Sequence, residues 1–148
     1  MVAVGARLGH SYRFWKEARA QRELTDPAFE ALESIGLRPR AQAPASALSY
    51  GEKRQLELAM ALGMQPRLLL LDEPMAGLGR QETVRMTEIL QGLKRRYTIL
   101  LVEHDMTAVF ALADRISVLV SGRIVATDLP SVIRSDVTVR AAYLGRHG

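Results

Sequence analysis

The sequence predicts an α/β fold in which parallel strands alternate with helices. Three observations carry that prediction. Two short, unbroken apolar runs, Leu68–Leu71 and Thr98–Val102, read as strands covered on both faces. Apolar residues before and between them recur at helical spacing. The resulting order of helix, strand, helix, strand argues for an α/β layer with parallel strands.

The first third of the chain reads as helical. Ser11 to about Leu24 is amphipathic and basic. Thr25-Asp26-Pro27 then looks like a helix start, with a capping side chain and a proline in the first turn. Phe29, Leu32 and Glu33 continue this helix, and Gly36 after Ile35 reads as its stop. The stretch RPRAQAPASA, Arg38–Ala47, is a proline-and-alanine loop.

LSYGEKRQLELA, Leu48–Ala59, opens the next helix. Leu56, Ala59, Met60 and Gly63 fall at i, i+3, i+4 and i+7, with Leu58 and Leu62 on the flanks, which predicts a largely buried helix. Gln65-Pro66 ends it. Its start is unusual, because glycine stands where a better helix former would cost less. Either Ser49 caps the helix and Gly51 merely loosens its first turn, or the exposed N–H groups there are meant for an anion.

Met86, Ile89, Leu90 and Leu93 form a second helical stripe between the two strands. A shorter helix covers about Met106–Ala113. Ile116–Val120 and Arg123–Ala126 flank Ser121-Gly122, a two-residue hairpin signal, and are expected to add an antiparallel edge. There is no internal repeat and no low-complexity tract.

Composition narrows the function classes. With 148 residues, 48% of them apolar and 24% charged, the chain fits one globular domain rather than a disordered tail. Aromatics are only 5%, so the core must be aliphatic. The lack of cysteine removes disulfides, thiol catalysis and cysteine-ligated zinc, and is compatible with a reducing cytosol. The longest apolar runs are too short to span a bilayer, and Met1–Gly9 lacks the features of a secretory signal. Work at a membrane would therefore depend on another chain. Net charge is +4 with a pI near 9.8, from seventeen Arg and three Lys. The arginines are scattered singly apart from Arg95–Arg96, which reads as a solvated basic surface rather than a nucleic-acid interface.

In open parallel sheets, ligands gather at the carboxyl ends of the strands. Both strands here end in polar chemistry. LLLLDEP places Asp72 and Glu73 directly after the first apolar run, and Pro74 follows to terminate pairing. ILLVEHD places Glu103, His104 and Asp105 after the second. Adjacent carboxylates in an apolar setting need cations or donors to meet them. Mg²⁺, bound directly or through water, would do so for Asp72 and leave Glu73 to orient or deprotonate a water. Taken alone, Asp-Glu after a strand is ordinary loop chemistry, and a strand-end histidine is more often structural. The combination is rarer: Ser49 precedes Asp72 by 23 residues, and Glu73 precedes His104 by 31.

At these residues the sequence resembles the ATP-binding subunits of ABC transporters. LSYGE (Leu48, Ser49, Tyr50, Gly51, Glu52) looks like the family's signature motif, usually LSGGQ. LLLLDEP looks like Walker B with its following glutamate. MAGLG, with Ala76, Gly77, Leu78 and Gly79, sits where the D-loop belongs, and LVEHD resembles the switch-histidine segment. LSYGEKRQLELA, DEPMAG, LVEHDM and the terminal AYLG, Ala142–Gly145, look most like the subgroup that energises branched-chain amino-acid importers and related amide and urea systems.

The resemblance implies the C-terminal portion of a P-loop NTPase-like ABC nucleotide-binding domain. Residues 1–64 would belong to the helical subdomain, and residues 65–148 to the RecA-like core with its closing hairpin and helices. It further implies Glu73 and His104 as catalytic and Asp72 as a Mg²⁺ ligand through water. The Ser49 hydroxyl and the Gly51 N–H would face the γ-phosphate of ATP held by an opposite subunit, where the helix N-terminus adds roughly half a positive charge. Implied partners are permease transmembrane subunits and a second ATP-binding subunit, at the inner face of the cell membrane.

A complete cassette also needs a phosphate-cradling loop, G-x-x-x-x-G-K-[ST]. This sequence has none: its lysines, Lys16, Lys53 and Lys94, follow Trp15, Glu52 and Leu93, never glycine. The expected adenine-stacking aromatic and Q-loop glutamine are absent too, and MVAVGARLG looks like the point just after that loop. ATP and Mg²⁺ are thus expected only with a complementing half. Gly79 stands where many members carry an aspartate, and Lys53 where the subgroup commonly has glutamine. Tyr12, Phe14 and Trp15 read first as local core and second as part of a groove for a permease helix. A second reading of the whole chain is a non-catalytic module that docks on a full ATPase or permease; a third, least favoured, is a basic nucleic-acid binder.

Overall fold

A computed structural model describes residues 22–144, in two units that meet in sequence at Val102 and Glu103. The expected groove aromatics Tyr12, Phe14 and Trp15, and all but the last three residues of the expected Ser11–Leu24 helix, lie outside the described residues.

In the first unit, α1 (Arg22–Ser34) runs straight through Pro27, so Thr25-Asp26-Pro27 is not a helix start. Proline there removes one hydrogen bond, the one its nitrogen would give to the Glu23 carbonyl. Burial of Ala31 and Leu32, with Ile35 and Leu37 beyond the helix end, offsets that loss. Gly36 does stop the helix. At φ +76 it takes the left-handed conformation, its N–H donates to the Glu33 carbonyl, and the Leu37 N–H donates to Leu32 at 2.8 Å. Two single 3₁₀ turns, Arg38–Arg40 and Ala45–Ala47, fill the proline-and-alanine loop.

Next comes α2 (Tyr50–Gly63), which packs against α1. Its buried residues are Gly51, Gln55, Leu58, Ala59, Leu62 and Gly63, whereas Met60 is half exposed. Ala59 and Gly63 of the expected stripe are buried, with the flanking Leu58 and Leu62, but Leu56 and Met60 are not, so the stripe is rotated by about one position. Only the contact with α1 chooses between the two overlapping faces. The helix ends as expected before Pro66, with Gln65 at φ +52.

Strands β1 (Leu68–Asp72) and β2 (Thr98–Val102) pair in parallel, Leu68 opposite Thr98 and Asp72 opposite Val102. Between them runs α3 (Arg80–Leu93), which buries Met86, Leu90 and Leu93 and half-buries Ile89, the expected stripe. The strands are not covered on both faces. Leu69 is buried, but Leu70 is 68% exposed, Leu100 59% and Val102 56%. Side chains alternate along a strand, so an unbroken apolar run fills both faces of the pair, and here only one is covered.

The second unit opens with α4 (Met106–Leu112) and continues into β3 (Ile116–Val120) and β4 (Arg123–Asp128). Ser121 and Gly122 both have positive φ, which makes the tight turn of an antiparallel hairpin. Among the described residues β3 and β4 pair only with each other, so the hairpin is a two-stranded sheet of its own and not the expected added edge. α5 (Pro130–Ser135) and α6 (Val137–Leu144) follow. Ile116, Val118, Ile133 and Val139 form a core to which Val109, Phe110 and Ala126 add.

Candidate functional site

The start of α2 is a capping box. Ser49 has extended backbone angles, its Oγ accepts from the Glu52 N–H at 3.1 Å, and Glu52 Oε2 accepts from the Ser49 N–H at 2.8 Å. The capping reading of the sequence is thus correct. It leaves the anion reading standing, because the N–H groups of Tyr50 and Gly51, the first two helical residues, have no carbonyl four positions back within the helix. The Ser49 oxygen acts here as an acceptor, which leaves its hydroxyl hydrogen for a ligand.

Arg40 is a residue that sequence reasoning missed. Its Nε lies 3.2 Å from Glu52 Oε1, while Nη2 donates to the Ala47 carbonyl. Where the usual motif has a neutral glutamine, Glu52 brings a charge to the helix N-terminus, and Arg40 balances it. Both groups are partly exposed, so the pair is worth only about 0.2–1 kcal/mol. Arg54 donates to Glu57 Oε2 at 3.0 Å and lies 5.5 Å over the Tyr50 ring; Glu57 first and Tyr50 second push its pKa up.

After β1 the chain turns sharply. Asp72 is exposed at the strand end, opposite Val102. The exposed Glu73 sits at φ +45, a conformation that costs a non-glycine residue of order 1–3 kcal/mol. Its N–H donates to the Val102 carbonyl at 2.9 Å, which carries the ladder one bond past the strand, and Pro74 then stops it. The next bonds are local, Ala76 N–H to Glu73 and Leu78 N–H to Met75.

This loop meets the start of α2. The Tyr50 hydroxyl donates to the Ala76 carbonyl at 3.3 Å. Gly77, at φ +75, has no room for a side chain: a Cβ would stand 3.0 Å from Tyr50 Oη and 3.2 Å from its Cε1. A Cβ on Gly51 would likewise run into the Glu82 carboxylate, whose Oε2 accepts from the Gly79 N–H at 3.0 Å. The signature-like segment therefore touches the D-loop-like segment at Tyr50 and the first turn of α3 at Gly51.

Gly79 is the N-cap of α3 and has no side chain to offer, so only the Glu82 half of a capping box forms. Its angles, φ −70 and ψ 163, suit serine, and a Cβ would meet Glu82 Oε2 at an ordinary 3.7 Å. Gly79→Ser is expected to stabilise the chain by a few tenths of a kcal/mol. Denaturant unfolding measures it, and an unchanged or lowered midpoint would contradict the cap geometry.

The exposed Asp72 carboxylate at the strand end suits Mg²⁺, which keeps several waters and takes one or two protein carboxylates beside substrate phosphate. Among the described residues no group of three or more His, Asp or Glu side chains forms a cage for a metal ion.

In the second unit, Glu103 Oε2 accepts from the His104 and Asp105 N–H groups at 3.0 and 3.2 Å. Asp105 Oδ1 accepts from Thr107 and Ala108, which caps α4. Both acids thus fix the backbone around the exposed His104. Glu73 belongs to the first unit and His104 to the second. A separate cavity of about 250 Å³, lined by Pro27, Glu30, Ser34, Gln65 and Tyr97 among others, includes none of the motif residues.

Comparison with known proteins agrees with this architecture. The ABC transporter family model matches residues 5–76. The chain is 45% identical over 129 residues to the high-affinity branched-chain amino acid transport ATP-binding protein LivG of Escherichia coli, covering 86% of this chain and 51% of the relative. BraF of Pseudomonas aeruginosa, a transport ATP-binding protein of the same description, is 39% identical over the same shares. Among solved structures, MJ1267, an ATP-binding cassette of an ABC transporter, superposes with a TM-score of 0.75 at 27% identity, over 88% of this chain and 53% of that one. The protein cbiO1 of Clostridium perfringens, part of the ABC transporter complex cbiONQ, gives 0.72 at 26%, over 89% and 54%. Residues 5–76 thus match the ABC transporter family, and the chain has the fold of the ATP-binding domains it resembles. It spans about half the length of the curated relatives it matches. Among the described residues, no helix is long and apolar enough to cross a membrane.

Proposed function

We propose that this chain is the signature-bearing part of an ATP-binding subunit that, in a complete cassette, hydrolyses ATP to drive import of branched-chain amino acids or related solutes. The observation that supports it most is the start of α2, a helix N-terminus with a serine hydroxyl, two N–H groups without intrahelical acceptors and a bare Gly51. In this reading Ser49 and Gly51 meet the γ-phosphate of ATP held by another subunit's phosphate loop. Leu48, 8% exposed, anchors the turn, while Tyr50 and Glu52 frame it. Arg40 keeps the Glu52 charge from opposing the phosphate.

Glu73 takes the proton as water attacks the γ-phosphorus, and His104 positions phosphate and water. Mg²⁺, held by Asp72 through water, would neutralise charge on the phosphate oxygens when bound. The loop Ala76, Gly77, Leu78, Gly79 reaches toward the second ATP-binding subunit. Residues 1–64 serve as helical subdomain and 65–148 as core, docked on permease subunits at the inner membrane face.

One alternative is a non-catalytic module that docks on a full ATPase or permease. One experiment separates the two. By calorimetry the chain alone is expected to show no saturable ATP binding at micromolar levels, since it offers half a site. Mixed with the N-terminal half of the Escherichia coli relative, it is expected to gain ATPase activity. A stable mixture without turnover would favour the docking module, and micromolar binding by the chain alone would contradict both.

A further inference from the structure

We infer that Tyr50 is a positioning residue that straps the loop after β1 to the start of α2, so that the two segments facing the opposite subunit move as one. The consequence for turnover rests on the ATPase reading above; the strap itself does not. Tyr50 stands where the usual signature motif has glycine, which could not reach this loop. Its ring is 51% exposed, so burial of apolar surface is not what holds it there. What the ring does is specific: its hydroxyl donates to the Ala76 carbonyl at 3.3 Å, and its edge occupies the space where a residue other than glycine at 77 would place a side chain. Gly77 is at φ +75, so glycine serves twice, for the backbone angle and for the ring.

A second link closes the same unit. The Glu82 carboxylate accepts from the Gly79 N–H and packs against Gly51, so the far end of the segment 76–79 also abuts the first turn of α2. Arg54 lies over the ring face, 5.5 Å from its centre. A displacement of the anion-facing helix start is therefore carried into the loop, and a displacement of the loop into the helix start. Through this strap Tyr50 affects the reacting atoms without touching them.

The test uses the whole chain. Amide hydrogen exchange at Ala76, Gly77 and Leu78 is expected to speed up about three- to tenfold in Tyr50→Phe, the loss of one hydrogen bond, and further in Tyr50→Gly. The α3 amides from Met86 to Leu90 serve as the internal control and should not change. Gly77→Ala is strained in any background, but its effect on loop exchange is expected to be smaller when combined with Tyr50→Gly, because no ring then opposes the methyl group.

In the mixture with the phosphate-loop half, Tyr50→Phe is expected to lower kcat about threefold or more while KM for ATP moves less than about twofold, the mark of lost transition-state geometry rather than lost capture. Unchanged loop exchange in both Tyr50 variants, or an equal effect of Gly77→Ala in both backgrounds, overturns the strap whatever the ATPase does. A parental mixture without turnover overturns the ATPase reading and leaves exchange to decide the strap. Parental turnover with an unaltered kcat in Tyr50→Phe overturns the positioning role.

Discussion

Glu73→Gln, in an assembly that supplies a phosphate loop, is expected to keep ATP binding and dimerisation while turnover falls by about two to four orders of magnitude. The substitution preserves side-chain volume, and the hydrogen bond from residue 73 to the Val102 carbonyl belongs to the backbone, so the turn after β1 should survive. Only the ability to take a proton from water is lost. Glu73 sits at the strand end in a left-handed backbone conformation, the kind of conformational cost that clusters at functional sites. His104→Ala is expected to slow hydrolysis sharply as well. Nucleotide binding and single-turnover hydrolysis, measured side by side, check both. Parental turnover by Glu73→Gln would show that another group takes the proton.

The second large effect concerns the open face of the parallel pair. At micromolar concentration the chain alone is expected to self-associate through β1 and β2. Leu70 and Leu100 stand opposite each other in the register, both more than half exposed, with Leu68 and Val102 beside them. Covering each such side chain is worth roughly 1.5–3 kcal/mol, a large share of a total stability of about 5–15 kcal/mol. A two-stranded sheet also offers two unpaired edges to any second strand. Light scattering and sedimentation on the purified chain measure the association. Leu70→Glu combined with Leu100→Lys places opposite charges as cross-strand neighbours on that face and is expected to restore a monomer. A parental chain that stays monomeric and unfolds cooperatively with several kcal/mol of stability would contradict this.

Element type was legible wherever its cause is local. Ser49 and Glu52 are three residues apart, and that spacing is all a capping box needs. Gly36 ends α1 and Ser121-Gly122 closes the hairpin because each supplies a backbone angle that its neighbours do not. Met86, Leu90 and Leu93 recur at helical spacing, so the buried face of α3 could be read directly. Pro27 misled for the same reason: proline punctuates locally, but the helix around it is held by burial at Ala31 and Leu32. The candidate residues of the site were legible as a motif order, since a strand-end Asp-Glu and a glycine-interrupted helix start are written in neighbouring letters.

By itself, then, the sequence determined most of the helices and strands and several of their caps and turns, because propensity, capping and periodicity act over a few residues, and its motif order carried the family resemblance. Tertiary structure decided the rest. Tyr50 meets Ala76 across 26 residues, Glu82 reaches Gly51, and Arg40 answers Glu52, and no local pattern specifies such pairs. It also decided which face of each element is covered. Leu68–Leu71 is apolar on both sides, and α2 carries two overlapping stripes around Ala59, so only the neighbour that packs against each could choose. Periodicity offers a surface for burial, and burial depends on what arrives to fill it.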